Sequence, residues 1–412
     1  MNTITTGTVI LFGVLVLLMV LRVPISFSLG ISALVAAIYL DIPFLNLFQK
    51  MAKGITSFTF MCVPFFIIMA QIMTDGGISD RLTKFCNVLI GRMRGGTAIV
   101  NCLVSMFFGG ISGSSIADVS SIGAFLIPAM IKEGYDADYT VAVTCTSSVE
   151  GVIIPPSQNM IFYIVAAGSG LSISTMFMCG YIPGVLLTLA LCICSYIIAV
   201  RKKYPKSQKY SWRENIKIVR EALLGLVTIA IVAVGITAGV FTATEAGAIA
   251  AVYALIITSL VYKTMNFKKL IDCLVKSLRT LSTIMAIIAT SSAFSYVLSY
   301  LKVPTRVATA LSMVSDNPAV IMFLMVLMMV VLGCFMDMGI LIILLTPILY
   351  PVAMSIGYNP YHFGLITVLT LGLGLLTPPV GTSLWAGCAL ANIPIEKSIK
   401  GYLPFYLAYL VV

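Results

Sequence analysis

The chain has 412 residues, of which 60% are apolar and 10% are charged, and its formal net charge at pH 7 is +10. So small a charged fraction excludes a soluble globular domain, which would expose far more ionisable surface. The positive charge does not indicate a nucleic-acid partner, because it is concentrated in a few stretches between long apolar runs.

Apolar runs suited to crossing a membrane recur along the whole chain, with examples at residues 8–21, 223–240, 247–262 and 319–332. About 20 apolar residues span the roughly 30 Å of bilayer hydrocarbon as a helix. Membrane barrels would instead show short segments of alternating polarity. The first run has no basic residue before it and no small-residue cleavage pattern, so it predicts a retained helix and not a signal peptide. The predicted fold class is all-α and polytopic.

The first half contains two apolar segments that cannot continue as ordinary spanning helices. Segment 107–123, FFGGISGSSIADVSSIG, is rich in glycine, which destabilises a helix by roughly 0.5–1 kcal/mol per residue. Segment 147–163, SSVEGVIIPPSQNMIFY, contains the pair Pro155 and Pro156, which removes two amide donors and ends the preceding helix. Irregular backbone survives at membrane depth only where it is buried in protein or lines a polar cavity.

These broken segments contain groups suited to binding a cation and an anion. Freed carbonyls and serine hydroxyls are hard oxygen donors that suit an alkali cation. A helix that restarts after a break presents free amides and a positive dipole end, which favour a carboxylate. The structural alternatives are close helix packing through small residues and a simple proline kink.

A basic stretch separates the two halves of the chain. Its Lys and Arg residues are Arg201, Lys202, Lys203, Lys206, Lys209, Arg213, Lys217 and Arg220. Short loops this basic remain on the cytoplasmic side. We therefore predict a first transmembrane repeat over residues 1–200, a cytoplasmic linker over 201–221 and a second repeat over 222–412. Two further basic stretches, residues 81–94 and 263–279, are expected on the same side of the membrane as the basic linker, because Lys and Arg are concentrated in cytoplasmic loops.

The second half repeats the glycine and proline landmarks of the first half. Matched positions, each 223 residues apart, are Gly110 and Gly333, Pro128 and Pro351, Gly134-Tyr135 and Gly357-Tyr358, Gly151 and Gly374, and Pro155-Pro156 and Pro378-Pro379. Glycine and proline have backbone roles that other residues rarely replace. The constant spacing therefore predicts the same chain path in both halves, with broken segments at 331–344 and 370–387.

The charge pattern predicts that the two repeats have opposite orientations. The second repeat starts beside the basic linker, whereas the first starts with an uncharged stretch that we place outside. Lys50 and Lys53 would then lie outside, so their segment is expected to be an interfacial helix. Among the acidic residues in or beside apolar runs, Asp337 is the first functional candidate and Asp118 and Glu150 come next. Glu245, in TATEAGA, is expected to cap a helix.

These motifs together resemble one family of transporters. GGISGSSIADVSSIG, IPAMIKEGYD and VIIPPS, followed by TATEAGA, MDMG and GLLTPPVG, resemble the large membrane subunit of the tripartite ATP-independent periplasmic (TRAP) transporters, DctM type. The resemblance implies a sodium-coupled elevator transporter of the bacterial inner membrane, built from inverted-topology repeats that each contain a re-entrant hairpin and a broken helix. It also implies a periplasmic binding protein that delivers an organic acid, and a small four-helix membrane subunit. Because the first repeat begins almost at the N-terminus, that subunit is expected to be a separate chain.

The family also implies which residues form the site. It places one sodium ion at each hairpin tip, so at least two Na+ ions are expected, and no organic cofactor. The first sodium site would use Ser112, Ser114, Ser115, Gly151, Ile154 and Pro155. The second would use Gly333, Asp337, Gly374, Thr377 and Pro378. The substrate would lie between them, near Ser157, Asn159, Thr382 and Ser383. Glu150 and Gln158 depart from the apolar or small residues expected beside the first tip.

The sequence leaves one other transport function open and gives no support to an enzyme. A binding-protein-independent sodium/anion symporter or ion exchanger of similar inverted-repeat fold would work without any soluble component. A membrane-embedded enzyme has no support, because the sequence contains no His-Glu zinc motif, no GxSxG and no P-loop. The missing P-loop also disfavours transport driven by ATP.

Overall fold

The computed structural model describes residues 3–91, 93–168, 170–206 and 212–412, and all regular elements in these ranges are helical. The predicted all-α class is therefore confirmed. Seven helices of the described ranges are long and apolar enough to cross a membrane, or eight if the bent pair Cys62–Asp75 and Ile78–Ile90 forms one span. Residues 207–211, within the predicted linker, lie outside the described residues.

The first half contains twelve α-helices in the described residues. They are α1 (Thr3–Val20), α2 (Ile25–Tyr39), α3 (Phe44–Ile55), α4 (Cys62–Asp75), α5 (Ile78–Ile90), α6 (Gly96–Ser112), α7 (Ser115–Asp118), α8 (Ala124–Lys132), α9 (Ala137–Ser148), α10 (Glu150–Ile153), α11 (Gln158–Ala167) and α12 (Ile173–Arg201). A π-helical turn, Val119–Gly123, joins α7 to α8.

The second half contains nine further α-helices among the described residues. They are α13 (Trp212–Thr237), α14 (Ala243–Ile256), α15 (Phe267–Tyr300), α16 (Val303–Ser312), α17 (Pro318–Gly333), α18 (Met338–Ser355), α19 (Pro360–Gly374), α20 (Thr382–Ala391) and α21 (Ile395–Val411). A helical hairpin, α6 to α8 or α17 to α18, is followed in each half by an interrupted helix, α9 to α11 or α19 to α20. The opposite orientation of the halves in the membrane stays a prediction.

The hairpins and the interrupted helices pack mainly against one another. Helix α9 packs against α6, α20 and α21, and α11 packs against α18 of the other half. Helix α15 is the centre of a second group, because it contacts α2, α3 and α4 and also reaches α18. Helix α15 has 34 residues and is about 50 Å long, which exceeds the hydrocarbon thickness of a bilayer.

The three basic stretches predicted to share one side of the membrane contact one another. Arg94 pairs with Lys206 through an isolated backbone bridge, and Arg81 forms an ion pair with Glu221 at 3.6 Å. Lys276 of α15 pairs with Asp75 at the end of α4 at 3.0 Å. These contacts place the three stretches at one end of the molecule, as the charge pattern requires.

Hydrogen bonds to Asp136 at this end of the molecule hold the loop between α8 and α9 in place. Lys202 donates a hydrogen bond to Asp136, and the Tyr204 hydroxyl donates a second one. Hydrogen bonding by Lys202, and then by Tyr204, lowers the pKa of Asp136 below its ordinary value. The carboxylate therefore remains charged and holds this loop to the end of α12.

Pairs of glycines bring the hairpins against the interrupted helices. A Cβ atom on Gly109 would lie 2.2 Å from the Cα of Gly151, and one on Gly374 would lie 2.8 Å from the Cα of Gly333. Real atoms do not approach so closely, so only glycine permits these two backbones to meet. The same contact, between a hairpin arm and the turn before a Pro-Pro pair, occurs in both halves.

We predict that Gly109→Ala destabilises the protein, because the added methyl group must separate two backbones that cannot yield. Overpacking of this kind costs about 1–3 kcal/mol. Gly13→Ala is the matched control, since a Cβ on Gly13 of α1 would meet nothing within 4 Å. Thermal unfolding of the purified variants in detergent should show a lower melting temperature for Gly109→Ala only. Equal melting temperatures would contradict the proposed backbone contact.

Candidate substrate and cation site

A cavity of about 290 Å³ lies where the two hairpins meet α11 and α15. Its walls are the first hairpin tip at residues 113–116, the start of α11 at 158–159, the second tip at 337–340 and the α15 positions Thr283, Ile284 and Ile287. Among the described residues that line the cavity, Asp337 has the one acidic side chain, and none is Lys or Arg. The two halves of the sequence therefore share a single site.

The first hairpin tip lies directly on the restarted helix. Gly113 ends α6 with φ of +60°, in the left-handed region that favours glycine. A Cβ there would lie 2.9 Å from the amide nitrogen of Gln158 and 3.0 Å from the carbonyl oxygen of Pro156. The side-chain amides of Gln158 and Asn159 donate to the carbonyls of Ser112 and Gly113, each at 3.4 Å. These contacts hold the tip at the mouth of the break.

A chain of buried hydroxyls joins the first hairpin to both halves. The Ser115 hydroxyl lies 2.5 Å from that of Ser148 in α9 and 2.7 Å from that of Ser383 in α20. Ser148 donates its proton to the carbonyl of Cys145, so it accepts from Ser115, which in turn accepts from Ser383. The first tip is thereby bonded to the second interrupted helix.

The second hairpin tip is organised around Asp337. Its side chain caps α18 by accepting from the amide of Gly339 at 2.9 Å, which leaves carboxylate lone pairs available to the cavity. The amide of Val380 donates to the carbonyl of Cys334 at 3.0 Å. This bond fixes the tip on the Pro-Pro break of its own half, as in the first half.

In the first half, the Pro-Pro pair frees backbone carbonyls in the preceding turn. Pro155 and Pro156 have no N–H, so the carbonyls of Gly151 and Val152 lose their helical partners. The Ser157 hydroxyl replaces one of them by donating to Val152. The Gly151 carbonyl, one of the predicted sodium ligands, lies in the turn that touches the first hairpin.

In the second half, the freed carbonyls belong to Gly374 and Leu375. Gly374 accepts from the amide of Thr377 at 3.1 Å, and Leu375 accepts from the amides of Ser383 and Leu384 at 3.2 and 3.3 Å. The restarted helix α20 is therefore tied back to the turn before the break. A carbonyl oxygen has two lone pairs, so Gly374 can still bind a cation.

The structure brings most of the predicted sodium ligands to the two tips. Ser112, Ser114 and Ser115 lie at the first tip, and a Cβ on the adjacent Gly110 would lie 3.1 Å from the carbonyl oxygen of Pro155. At the second tip, the Thr377 hydroxyl donates to the carbonyl of Leu373 at 2.8 Å, and its lone pairs stay available. Ile154 and Pro378 lie in the adjoining breaks, and Gly333 is the last residue of α17. Their binding to sodium stays a prediction.

The predicted substrate residues are more dispersed than the predicted ion ligands. Asn159 lines the cavity. Ser157 and Ser383 do not line it: both are fully buried, and their hydroxyls form hydrogen bonds within the protein. Thr382 does not line the cavity, and its hydroxyl has no hydrogen-bond partner among the described atoms.

Sequence reasoning missed the wall formed by α15, since this stretch of the helix contains no helix break and no charged residue that faces the cavity. A weak signal existed in Thr283, a polar residue at helical spacing from Ile287.

Two further acidic residues are buried beside the first tip but do not line the cavity. Asp118 is 1% exposed, and its carboxylate oxygens have no hydrogen-bond partner among the described atoms. Glu150 is 0% exposed and accepts from the Thr188 hydroxyl of α12 at 2.8 Å. Asp118 lies within the first broken segment and Glu150 in the turn before the first Pro-Pro pair, and a functional role for either residue stays a prediction.

The sequence matches one protein family over nearly its whole length. The family described as "Tripartite ATP-independent periplasmic transporter, DctM component" matches residues 12–412. The chain belongs to this family. It is the large permease of a TRAP transporter, an inner-membrane protein and not an enzyme.

Named relatives and a solved structure agree with this assignment. The permease is 34% identical to the sialic acid TRAP transporter large permease protein SiaM of Vibrio cholerae serotype O1, over 94% of this chain and 91% of that protein. It is 35% identical to the C4-dicarboxylate TRAP transporter large permease protein DctM of Pseudomonas aeruginosa, over 93% and 90%. The crystal structure of the Alcanivorax borkumensis YdaH transporter aligns with a TM-score of 0.65 over 90% of this chain and 87% of that one. At 13% identity this likeness shows the fold.

We predict that Ser115 and Ser383 of the permease are energetically coupled, because one hydrogen bond joins the two halves through them. Ser115→Ala and Ser383→Ala should each lower the melting temperature, and the double variant should lose less than the sum of the two. A coupling of about 0.5–1.5 kcal/mol is expected for such a bond.

Ser398→Ala serves as the control partner in this cycle. Ser398 is also buried, but its hydroxyl donates to the carbonyl of Ile395 and makes no contact with Ser115. Its effect should add to that of Ser115→Ala. Additive effects in both cycles would show that the link between the halves contributes nothing.

Proposed function

We propose that this permease imports an organic acid by sodium-coupled transport, after a periplasmic binding protein delivers the acid. A small four-helix membrane subunit completes the transporter. The observation that carries the proposal is the single cavity in which both hairpin tips, one carboxylate and the start of α11 meet.

The lining of this cavity explains why a cation would accompany an anionic substrate. None of the described residues that line it is Lys or Arg, and Asp337 adds negative charge. Positive potential must therefore come from the amino end of α11, where the side-chain amides of Gln158 and Asn159 also lie, and from bound cations. Sodium at the two tips would offset the charge of Asp337 and favour a carboxylate.

The donor sets at the tips suit sodium. At the first tip the donors are serine hydroxyls and the carbonyls around Gly151, and at the second they are the Asp337 carboxylate, the Thr377 hydroxyl and the carbonyls around Gly374. All are hard oxygen atoms, which alkali and alkaline-earth cations prefer to nitrogen or sulfur. Two tips of this kind favour at least two sodium ions per transport cycle.

The substrate class follows from the cavity and from the relatives. Sialic acid and C4-dicarboxylates, named for the two relatives, both carry a carboxylate. The cavity volume is at the lower end of the range for small-molecule sites.

The transport motion we propose is an elevator movement of the hairpins and interrupted helices along α15.

The experiment is uptake of radiolabelled acids, with sialic acid and succinate as the first probes, into proteoliposomes. We expect uptake only when the small subunit, the loaded binding protein and an inward sodium gradient are all present. Replacing sodium with potassium should abolish it. Uptake by the isolated permease would instead support the binding-protein-independent symporter.

Within the complete system, Asp337→Asn should reduce sodium-dependent uptake at least about tenfold, a loss of roughly 1.4 kcal/mol in ion binding or coupling. Asparagine keeps the oxygen that caps α18 but removes the charge. Asp272→Asn, an exposed position in the first turns of α15, is the control and should transport normally. Unchanged sodium dependence in Asp337→Asn would refute the second sodium site.

A further inference from the structure

A second and larger cavity, of about 660 Å³, lies between α3, α11, α15 and α18. Its lining includes two lysines and five hydroxyl side chains: Lys50, Lys53, Thr56, Ser57, Ser291, Ser292 and Ser295. None of the described residues that line it is Asp or Glu. We call this space the basic vestibule.

The two lysines carry charge that the described part of the protein does not neutralise. Neither Lys50 nor Lys53 forms an ion pair with a described acidic residue. Both are exposed on α3, which buries only Leu47, and the ammonium of Lys50 lies 5.4 Å from the ring centre of Tyr296. The vestibule is thus a cationic space with hydroxyl groups on its walls, three of which (Thr56, Ser291 and Ser292) donate to carbonyls of their own helices.

One face of α15 connects the vestibule to the central cavity. Thr283, Ile284 and Ile287 line the central cavity, and Ile288, Ser291, Ser292 and Ser295 line the vestibule. These positions recur at helical spacing, so they form one continuous stripe along the helix. Ile343 of α18 lines both cavities and stands between them.

We propose that the basic vestibule binds the anionic substrate on its way to the central cavity. The identity of the substrate as an organic acid rests on the proposed function. The two lysines raise the local concentration of an anion, and the hydroxyl of Ser57, which has no hydrogen-bond partner among the described atoms, can donate to its oxygens. Ile343 then separates this waiting position from the site that requires sodium.

This role also accounts for lysines that oppose the charge rule. The predicted topology places α3 outside, where Lys and Arg are otherwise sparse. Two lysines beside a cavity, without ion-pair partners among the described carboxylates, are better suited to a passage for anions than to a contact between helices.

The vestibule can be tested without knowing the substrate. We would introduce Ser295→Cys and measure its reaction with two membrane-impermeant thiol reagents of equal size class, anionic MTSES and cationic MTSET, added outside intact cells. Mass spectrometry would separate this cysteine from the native ones. The ratio of anionic to cationic reaction rates should fall several-fold when Lys50→Gln and Lys53→Gln are added.

Lys302→Gln with Arg306→Gln is the matched control, since it removes the same charge beside a different cavity. It should leave the ratio unchanged. A ratio insensitive to Lys50 and Lys53, or reaction of position 295 only from the cytoplasmic side, would overturn the proposal. This outcome is independent of whether the permease transports an organic acid.

A transport measurement completes the test. In the reconstituted system, Lys50→Gln/Lys53→Gln should lower the maximal uptake rate several-fold and leave unchanged the concentration of loaded binding protein that gives half the maximal rate. A change in that concentration alone would assign the lysines to docking of the binding protein and overturn the proposal. Full uptake by the double variant would also overturn it.

Discussion

The need to satisfy backbone groups at membrane depth governs the organisation of this permease. Each Pro-Pro pair removes two amide donors and stops a helix in surroundings that offer no water. The freed carbonyls must find partners within the protein. In this chain the Val152 carbonyl accepts from the Ser157 hydroxyl. In the other half, the Gly374 carbonyl accepts from the amide of Thr377 and the Leu375 carbonyl from the amides of Ser383 and Leu384.

The hairpins are positioned by the same requirement. A break can be covered only if another backbone approaches it closely, and the glycine contacts between Gly109 and Gly151 and between Gly333 and Gly374 allow this approach. Once the tips lie on the breaks, their serine hydroxyls, carbonyls and one carboxylate converge from both halves. The site is therefore a consequence of how the broken helices are covered, and we propose that sodium binds to the oxygen atoms that remain available there.

The parts of the structure that depend on local chemistry could be predicted from the sequence. The prolines and glycines located both breaks and both tips, and TATEAGA predicted the cap that Thr242 and Glu245 form at the start of α14. Parts that depend on packing between distant segments could not be predicted. The bond between Ser115 and Ser383 joins residues from different halves, and α15 lines both cavities as an unbroken helix without a distinctive motif.

The central claim is that the two hairpin tips bind sodium, and thermal unfolding of the purified permease in detergent tests it most directly. Melting temperatures would be compared in sodium chloride and in choline chloride at equal ionic strength, without substrate or partner proteins. A ligand present at ten times its Kd stabilises the folded state by about 1.4 kcal/mol per site, so the melting temperature should continue to rise with the logarithm of the sodium concentration above Kd. Identical melting in sodium and choline across the whole range would contradict the account.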